Sequence, residues 1–422
     1  MLETVTERLY YHDSFLLEFD ATVAEVRECG GRTGLVLDRT AFYPEGGGQP
    51  SDTGSLISCA GGTFRVLEVA DAEDGAILHF IESDHSPLRV ESGQRVHGAV
   101  DAGRRRDHMQ QHSGQHVLSA AFIKLFRVPT VSFHMGDESC TIDLETAMLS
   151  GEQLAQAEDL ANAVVMEDRK VEVGFASPEE ARARGTRKFT LGDREQLRLV
   201  SIPDFDVNAC GGTHAERTGQ IGMILLRKSE KVKQGIRVEF VCGERALRAA
   251  RQDYATLTEA AGLYSTHIRE LPAQARKSLD EIKALQRDNK KLREEVAELR
   301  AAKLLAEAPL QGKTKLVSAV FADQDTGFIK LMAQKITALA AASGNTVVVL
   351  FGGLGGPQPA LVFAQTPGGP HDMGTLMKET TAQLGGRGGG NKDVAQGGAP
   401  AGTDLERAIS QVSAVIGQWI NA

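Results

Sequence analysis

The chain has 422 residues, 41% hydrophobic and 24% charged, with a net charge of −9 and five cysteines. That length implies roughly two to four domains, and the composition is that of a soluble globular protein, not a disordered or fibrous one. The negative balance excludes a bulk nucleic-acid coat protein, while local basic footprints remain open.

The N-terminal stretch MLETVTERLYYHD is charged and has no apolar core of a secretory signal. No run reaches the ~18 apolar residues of a membrane span. Cys29, Cys59, Cys140, Cys210 and Cys242 are odd in number and scattered. That pattern suits reduced thiols in a cytoplasmic compartment, with one free for metal.

Residues 1–100 alternate in short β-type runs (FLLEFDATVAEV, TGLVLDRT, TFRVLEVA, AILHFIE) separated by Gly, Asp and Ser clusters. A small β-barrel is expected. Within it TAFYPEGGGQPSDTG carries three consecutive glycines between Pro44 and Pro50. Such a stretch suits a tight turn whose backbone must approach something closely. A plain hairpin loop is the simpler alternative. Thr40 before it and Gln49 after it can both hydrogen-bond a ligand.

Residues 101–243 are expected to form a mixed α+β domain. DAGRRRDHMQQHSGQHVLSAAFIKLFR reads as a helix, with Val117, Leu118, Ala121, Phe122 and Leu125 on one face. Arg104, Arg105, Arg106, Lys124 and Arg127 outweigh Asp101 and Asp107, a basic segment suited to phosphates. His112 and His116 stand four apart, roughly 40° around a helix, so both rings can address one centre. Ninety-odd residues on, CGGTH supplies Cys210 and His214. Together these four form a Cys-His₃ set with the donors zinc prefers. His108 extends the ladder but is surplus to a tetrahedron. Four protein ligands ordinarily close a structural site, whereas a catalytic zinc keeps a position open. No H-E-x-x-H or G-x-S-x-G motif offers a conventional base or nucleophile.

From 244 to 308 the pattern is helical. Leu271, Ala275, Ser278, Ile282, Leu285, Asn289, Leu292, Val296 and Leu299 fall on heptad spacing, with Asn289 as a polar seam residue. A helical hairpin and coiled-coil arm is expected, serving as spacer, dimer seam or RNA contact. Residues 309–422 then alternate strand and helix, implying a small α/β domain. In it LGGRGGGNKDVAQGG reads as a glycine-rich loop with Arg387 and Lys392. It lacks the order of an NTPase phosphate loop.

Five of these stretches (LDRTAFYPEGGGQPSDTG, HSGQH, CGGTH with its following TGQIG, GIRVEFVCG and GGRGGGNKDVAQGG) occur in the order seen in the editing and C-terminal regions of alanyl-tRNA synthetase. The aminoacylation core that precedes them there has no counterpart in these 422 residues. The chain therefore resembles the free-standing alanyl-tRNA editing proteins of the long AlaX type. That resemblance implies hydrolysis of mischarged tRNA(Ala), chiefly Ser-tRNA(Ala), with Gly-tRNA(Ala) as a further substrate. It implies Zn²⁺ on His112, His116, Cys210 and His214. It matches Thr40 to a position that senses the serine hydroxyl, with Gln49, Gly47 and Gly48 lining the same pocket. Gln115 departs from the small or hydroxyl residue often found at its position. Two other readings stay open: a tRNA-binding or dimerising protein with a structural zinc and no turnover, and the editing subunit of a split synthetase. A homodimer through the coiled coil or C-terminal domain is expected, and no membrane partner.

Overall fold

A computed structural model describes residues 6–59, 62–83, 90–186, 196–311 and 313–421. The chain divides into two compact units, Met1–Ala260 and Ala261–Ala422. Both mix helix and sheet.

The first unit opens with a closed six-stranded barrel. Its strands run in the order Glu18–Cys29, Arg32–Leu37, Ile77–Ser83, Thr63–Asp71, Gly54–Ser58, Arg95–Val100, which pairs back to the first. Alternation drives the closure, because Phe19, Ala21 and Val23 point inward while their neighbours face out. Leu35, Leu37, Leu56, Phe64, Val66 and Ile77 complete the core. Each such side chain contributes about 1.5–3 kcal/mol on burial.

The barrel leads directly into helix α1, Ala102–Phe126. Asp101 caps it by accepting from the Arg104 N–H, and Arg127 ends it in the left-handed region at φ 60°. Against α1 lies a four-stranded antiparallel sheet, in the order Ile224–Val232, Gly235–Cys242, Cys140–Leu144, Thr130–Met135. A separate three-stranded sheet joins Glu172–Ala176, Leu197–Ile202 and Asp206–Ala209. The last of these strands delivers the CGGTH loop.

Helices Gly243–Leu263 and Leu271–Glu307 are distinct, with Ser265 between them at φ 51°. In the long helix Ala297 and Ala301 are buried in the second unit's core, whereas heptad residues Ile282, Leu285, Leu292 and Leu299 are exposed. That unit holds a mixed six-stranded sheet. Strands Thr314–Phe321 and Thr346–Gly353 pair in parallel around helix Thr326–Ala342, and the remaining pairings are antiparallel.

One expectation is corrected here. LGGRGGGNKDVAQGG is not a loop but two paired strands, Arg387–Gly390 and Val394–Gly398. Its glycines serve close packing. A Cβ on Gly397 would stand 2.5 Å from Thr381 Cγ2 and 2.8 Å from Met377 Sδ, both on helix Met373–Gln383.

Candidate metal centre and cavity

His112 and His116 lie one turn apart on α1, both buried, with ring centroids 5.2 Å apart. The CGGTH loop brings His214 to 4.5 Å from the first ring and 4.7 Å from the second. Cys210 Sγ is 3.4 Å from His112 Nε2 and 3.2 Å from His214 Nε2. One donor atom from each of the four residues falls within 4.8 Å of all the others. Around zinc, bond lengths of 2.0–2.3 Å give a tetrahedral edge of roughly 3.3–3.8 Å, so the residues fit that ion. The loop requires glycine here, because a Cβ on Gly212 would lie 2.2 Å from His112 Cε1.

A second layer fixes each ring. His112 Nδ1–H donates to Gln49 Oε1 at 2.7 Å, and Gln49 Nε2 donates to Thr213 Oγ1 at 2.9 Å. His214 Nδ1–H donates to Ser113 Oγ at 3.1 Å. His116 Nδ1 faces the Asp206 carboxylate at 3.7 Å and the Asn208 amide nitrogen at 3.1 Å. With its Nδ1–H given to Gln49, His112 has its Nε2 left for the centre, the arrangement that metal-ligating histidines favour.

The electrostatics differ between the four residues. Burial would raise the Cys210 thiol, but the adjacent His112 and His214 overcome it and hold the group well below its ordinary value. Burial pushes His214 down to about 3. Burial also acts to lower His116, yet Asp206 and Cys210 carry it up to about 9. A depressed thiol beside the neutral imidazole of His214 suits a cation, and His116 would release its proton on binding one.

A cavity of about 460 Å³ opens beside the cluster. Its walls include His112, His116 and Cys210, with Gly46 and Gly47 from the triple-glycine loop, Gln115 from α1, and Thr130 and Ser132 from the neighbouring strand. Gly48 sits at φ 83°, and a Cβ there would lie 2.6 Å from the Phe133 carbonyl. Glycine thus lets the loop seat against that strand, where its carbonyl accepts from the Met135 N–H.

The structure places the remaining expected residues less uniformly. Thr40 is fully buried inside the barrel, donating to His79 Nε2 at 2.8 Å and accepting from the Phe42 N–H; it is absent from the cavity wall. Gln49 is also fully buried and acts on His112. Arg105 is not a surface cation. It is completely buried against Asp52, and it donates to the Ser14 carbonyl at 2.7 Å and the Ala41 carbonyl at 2.5 Å. Arg104 donates to the Ser51 carbonyl, and Arg106 is exposed. His108 stands outside the ligand cluster, buried and, among the described residues, with no partner at Nδ1.

Sequence reasoning passed over Asp206, Asn208, Thr130 and Tyr11. A usable signal existed for the first two: in DVNAC, Asp206, Asn208 and Cys210 recur every second residue, and strand alternation sends such residues to one face.

Comparison with known proteins finds three family matches along the chain. Residues 2–104 match the family described as tRNA synthetases class II (A), and residues 197–239 match the threonyl and alanyl tRNA synthetase second additional domain. Residues 312–418 match the DHHA1 domain. The alanine–tRNA ligase of Pyrococcus furiosus is 33% identical over 98% of this chain and 43% of its own length. That of Thermococcus kodakarensis is 34% identical, over 98% of this chain and 44% of its own. The chain is alanyl-tRNA synthetase-like. It spans less than half the length of these relatives. A solved C-Ala domain of Aquifex aeolicus alanyl-tRNA synthetase aligns with 28% of the alanyl-tRNA synthetase-like chain and 99% of its own, at 19% identity and a TM-score of 0.23.

Proposed function

We infer that the chain is a trans-editing hydrolase that deacylates mischarged tRNA(Ala), with Ser-tRNA(Ala) as the main substrate and Gly-tRNA(Ala) as a second. The observation that carries this reading is the polar cavity built against the Cys-His₃ cluster, in a chain similar to alanine–tRNA ligases. Zn²⁺ held by His112, His116, Cys210 and His214 would supply a fixed positive charge at the cavity floor and tie the CGGTH loop to α1.

Discrimination then falls to the cavity hydroxyls. Gln115 Nε2 donates to Ser119 Oγ at 2.8 Å, and Ser119 Oγ and Thr130 Oγ1 share a hydrogen bond at 2.6 Å. Thr130 lines the cavity, where its hydroxyl can meet that of a substrate. A site that hydrogen-bonds a substrate hydroxyl rejects the analogue lacking it far better than an apolar pocket can. Serine is thereby separated from alanine. Gln49 acts by orienting His112, and the exposed Arg106 is available to tRNA phosphates.

The test is direct. Purified protein is incubated with Ser-tRNA(Ala), Gly-tRNA(Ala) and Ala-tRNA(Ala), and acid-stable aminoacyl-tRNA is counted over time. Faster loss of the serylated species supports the reading; equal, uncatalysed rates for all three overturn it. A second reading draws on the closed four-ligand set, which is the arrangement of a structural zinc. In that case a metal-loaded protein binds tRNA and leaves every ester intact.

A further inference from the structure

Near the cavity mouth three tyrosines stand together, and they differ in what their hydroxyls do. Tyr10 is fully buried. Tyr43 donates to the Gly46 carbonyl at 2.9 Å, so its proton is used. Tyr11 is half-buried and lines the cavity. Its Oη accepts from Arg8 Nη1 at 3.4 Å, and among the described residues it has no acceptor for its own proton. Arg8 is anchored by Asp71 at 2.8 Å and lies 5.7 Å from the Tyr11 ring centre.

The phenol is also placed beside the metal-binding loop. A Cβ on Gly211 would stand 3.5 Å from Tyr11 Oη, so the hydroxyl sits over the residue next to Cys210. Arg198 locks that arrangement. It donates to the Tyr11 carbonyl at 3.0 Å, to the Cys210 carbonyl at 2.8 Å and to the Gly212 carbonyl at 2.9 Å. Hence the Tyr11 backbone and the CGGTH loop hang from one guanidinium.

We propose that Tyr11 is a catalytic residue of the deacylation, its O–H donating to the ester carbonyl oxygen as negative charge develops there, with Arg8 polarising the phenol from behind. This rests on the hydrolase reading above. The step balances as an ordinary ester hydrolysis. A water oxygen bonds to the carbonyl carbon and the C=O π pair moves to the oxygen facing Tyr11. Re-forming C=O then breaks the bond to the ribose oxygen, which takes the proton from the water. Tyr11 keeps its own proton throughout and contributes a positioned dipole, the kind of donor worth about 10²–10³ in rate when removed.

Tyr11→Phe keeps the ring between its neighbours and deletes only the hydroxyl. Deacylation of Ser-tRNA(Ala) is measured for the full chain, together with zinc content and melting temperature. The expected result is a fall in kcat of about 10²-fold with KM, zinc content and melting temperature unchanged. Arg8→Gln should give a smaller fall in kcat, again without a change in KM. A second readout needs no turnover: a phosphonate mimic of the tetrahedral intermediate, on a seryl adenosine, should bind the Tyr11→Phe protein more weakly in proportion to the kcat loss. A 3′-amide ground-state analogue should bind both proteins alike. An active wild type with an equally active Tyr11→Phe protein overturns the assignment of Tyr11 alone. An inert wild type overturns the hydrolase reading, and the donor role with it. Equal loss of mimic and amide binding overturns the donor role in favour of a merely structural one.

Discussion

Gln49 Oε1 lies 2.7 Å from His112 Nδ1, joining the triple-glycine loop of the barrel to the first histidine of the metal cluster. The carboxamide is not free to rotate, because its nitrogen donates to Thr213 in the CGGTH loop. One side chain therefore spans the barrel, α1 and the second ligand loop. Replacing Gln49 with Leu removes the acceptor that selects the Nε2-coordinating form of His112. Zinc affinity should fall about 10- to 100-fold, as for other second-layer losses. Competition with a chromophoric chelator reads this directly, and unchanged affinity would remove Gln49 from that role.

The Arg105–Asp52 pair predicts a stability effect. Both side chains are wholly inaccessible, and Asp52 also accepts from the Tyr43 N–H at 2.7 Å. Arg105→Met strands a buried carboxylate and should cost about 3–5 kcal/mol in chemical denaturation. Arg106→Ala, one residue on and exposed, should stay within about 0.5 kcal/mol. Loss of tRNA affinity in Arg105→Met without loss of stability would contradict the buried placement.

Thr40 yields a different kind of expectation. His79 Nδ1–H donates to the Leu35 carbonyl at 2.9 Å, so its Nε2 is the acceptor for the Thr40 hydroxyl. Thr40→Val leaves that nitrogen buried and unpaired, a loss of about 1–3 kcal/mol. Serine-over-alanine selectivity should be unaffected. A narrowed selectivity at undiminished stability would return Thr40 to the substrate.

The same histidine sets a pH dependence. Burial pushes His79 down to about 4, and it does the same to His108. Above the unfolded value of ~6.5 neither state is charged, and these groups make no difference. Between there and pH 4 the unfolded chain takes up protons that the folded chain refuses. Stability should therefore decline as pH falls through that window, by about 1.4 kcal/mol per pH unit for each group. Urea midpoints at pH 7, 6 and 5 measure it, and His79→Gln should flatten the slope.

In the second unit, Gly397→Ala should be costly although the residue is small. The added methyl meets Thr381 and Met377 inside van der Waals range. Overpacking of this kind costs about 1–3 kcal/mol. Zinc binding in the first unit should be unchanged, which a differential scan with metal titration can separate.

The metal cluster was legible in the sequence because helical geometry puts His112 and His116 on one face, and the second pair lies in a five-residue motif. The far wall of the cavity was not. Thr130 reaches it by long-range pairing of its strand beside α1, which no local spacing records. Thr40 shows the converse. It lies close in sequence to the glycine loop, but its side chain points to the barrel interior, where His79 accepts its hydrogen bond. The C-terminal glycines were read by composition as an exposed loop. Composition cannot tell a glycine needed for a turn from one needed because a helix lies against it.

The charge state of Cys210 carries a consequence for redox chemistry. Burial pushes Cys140 up to about 12 and Cys242 well above its ordinary value, so both thiols are poor nucleophiles. Cys210 is held well below its ordinary value by its histidine neighbours and touches the cavity. The same lone pair that binds a metal reacts with peroxides and alkylating agents. A zinc ion would thus also act as a protecting group, and a molecule stripped of it would be open to oxidation at Cys210.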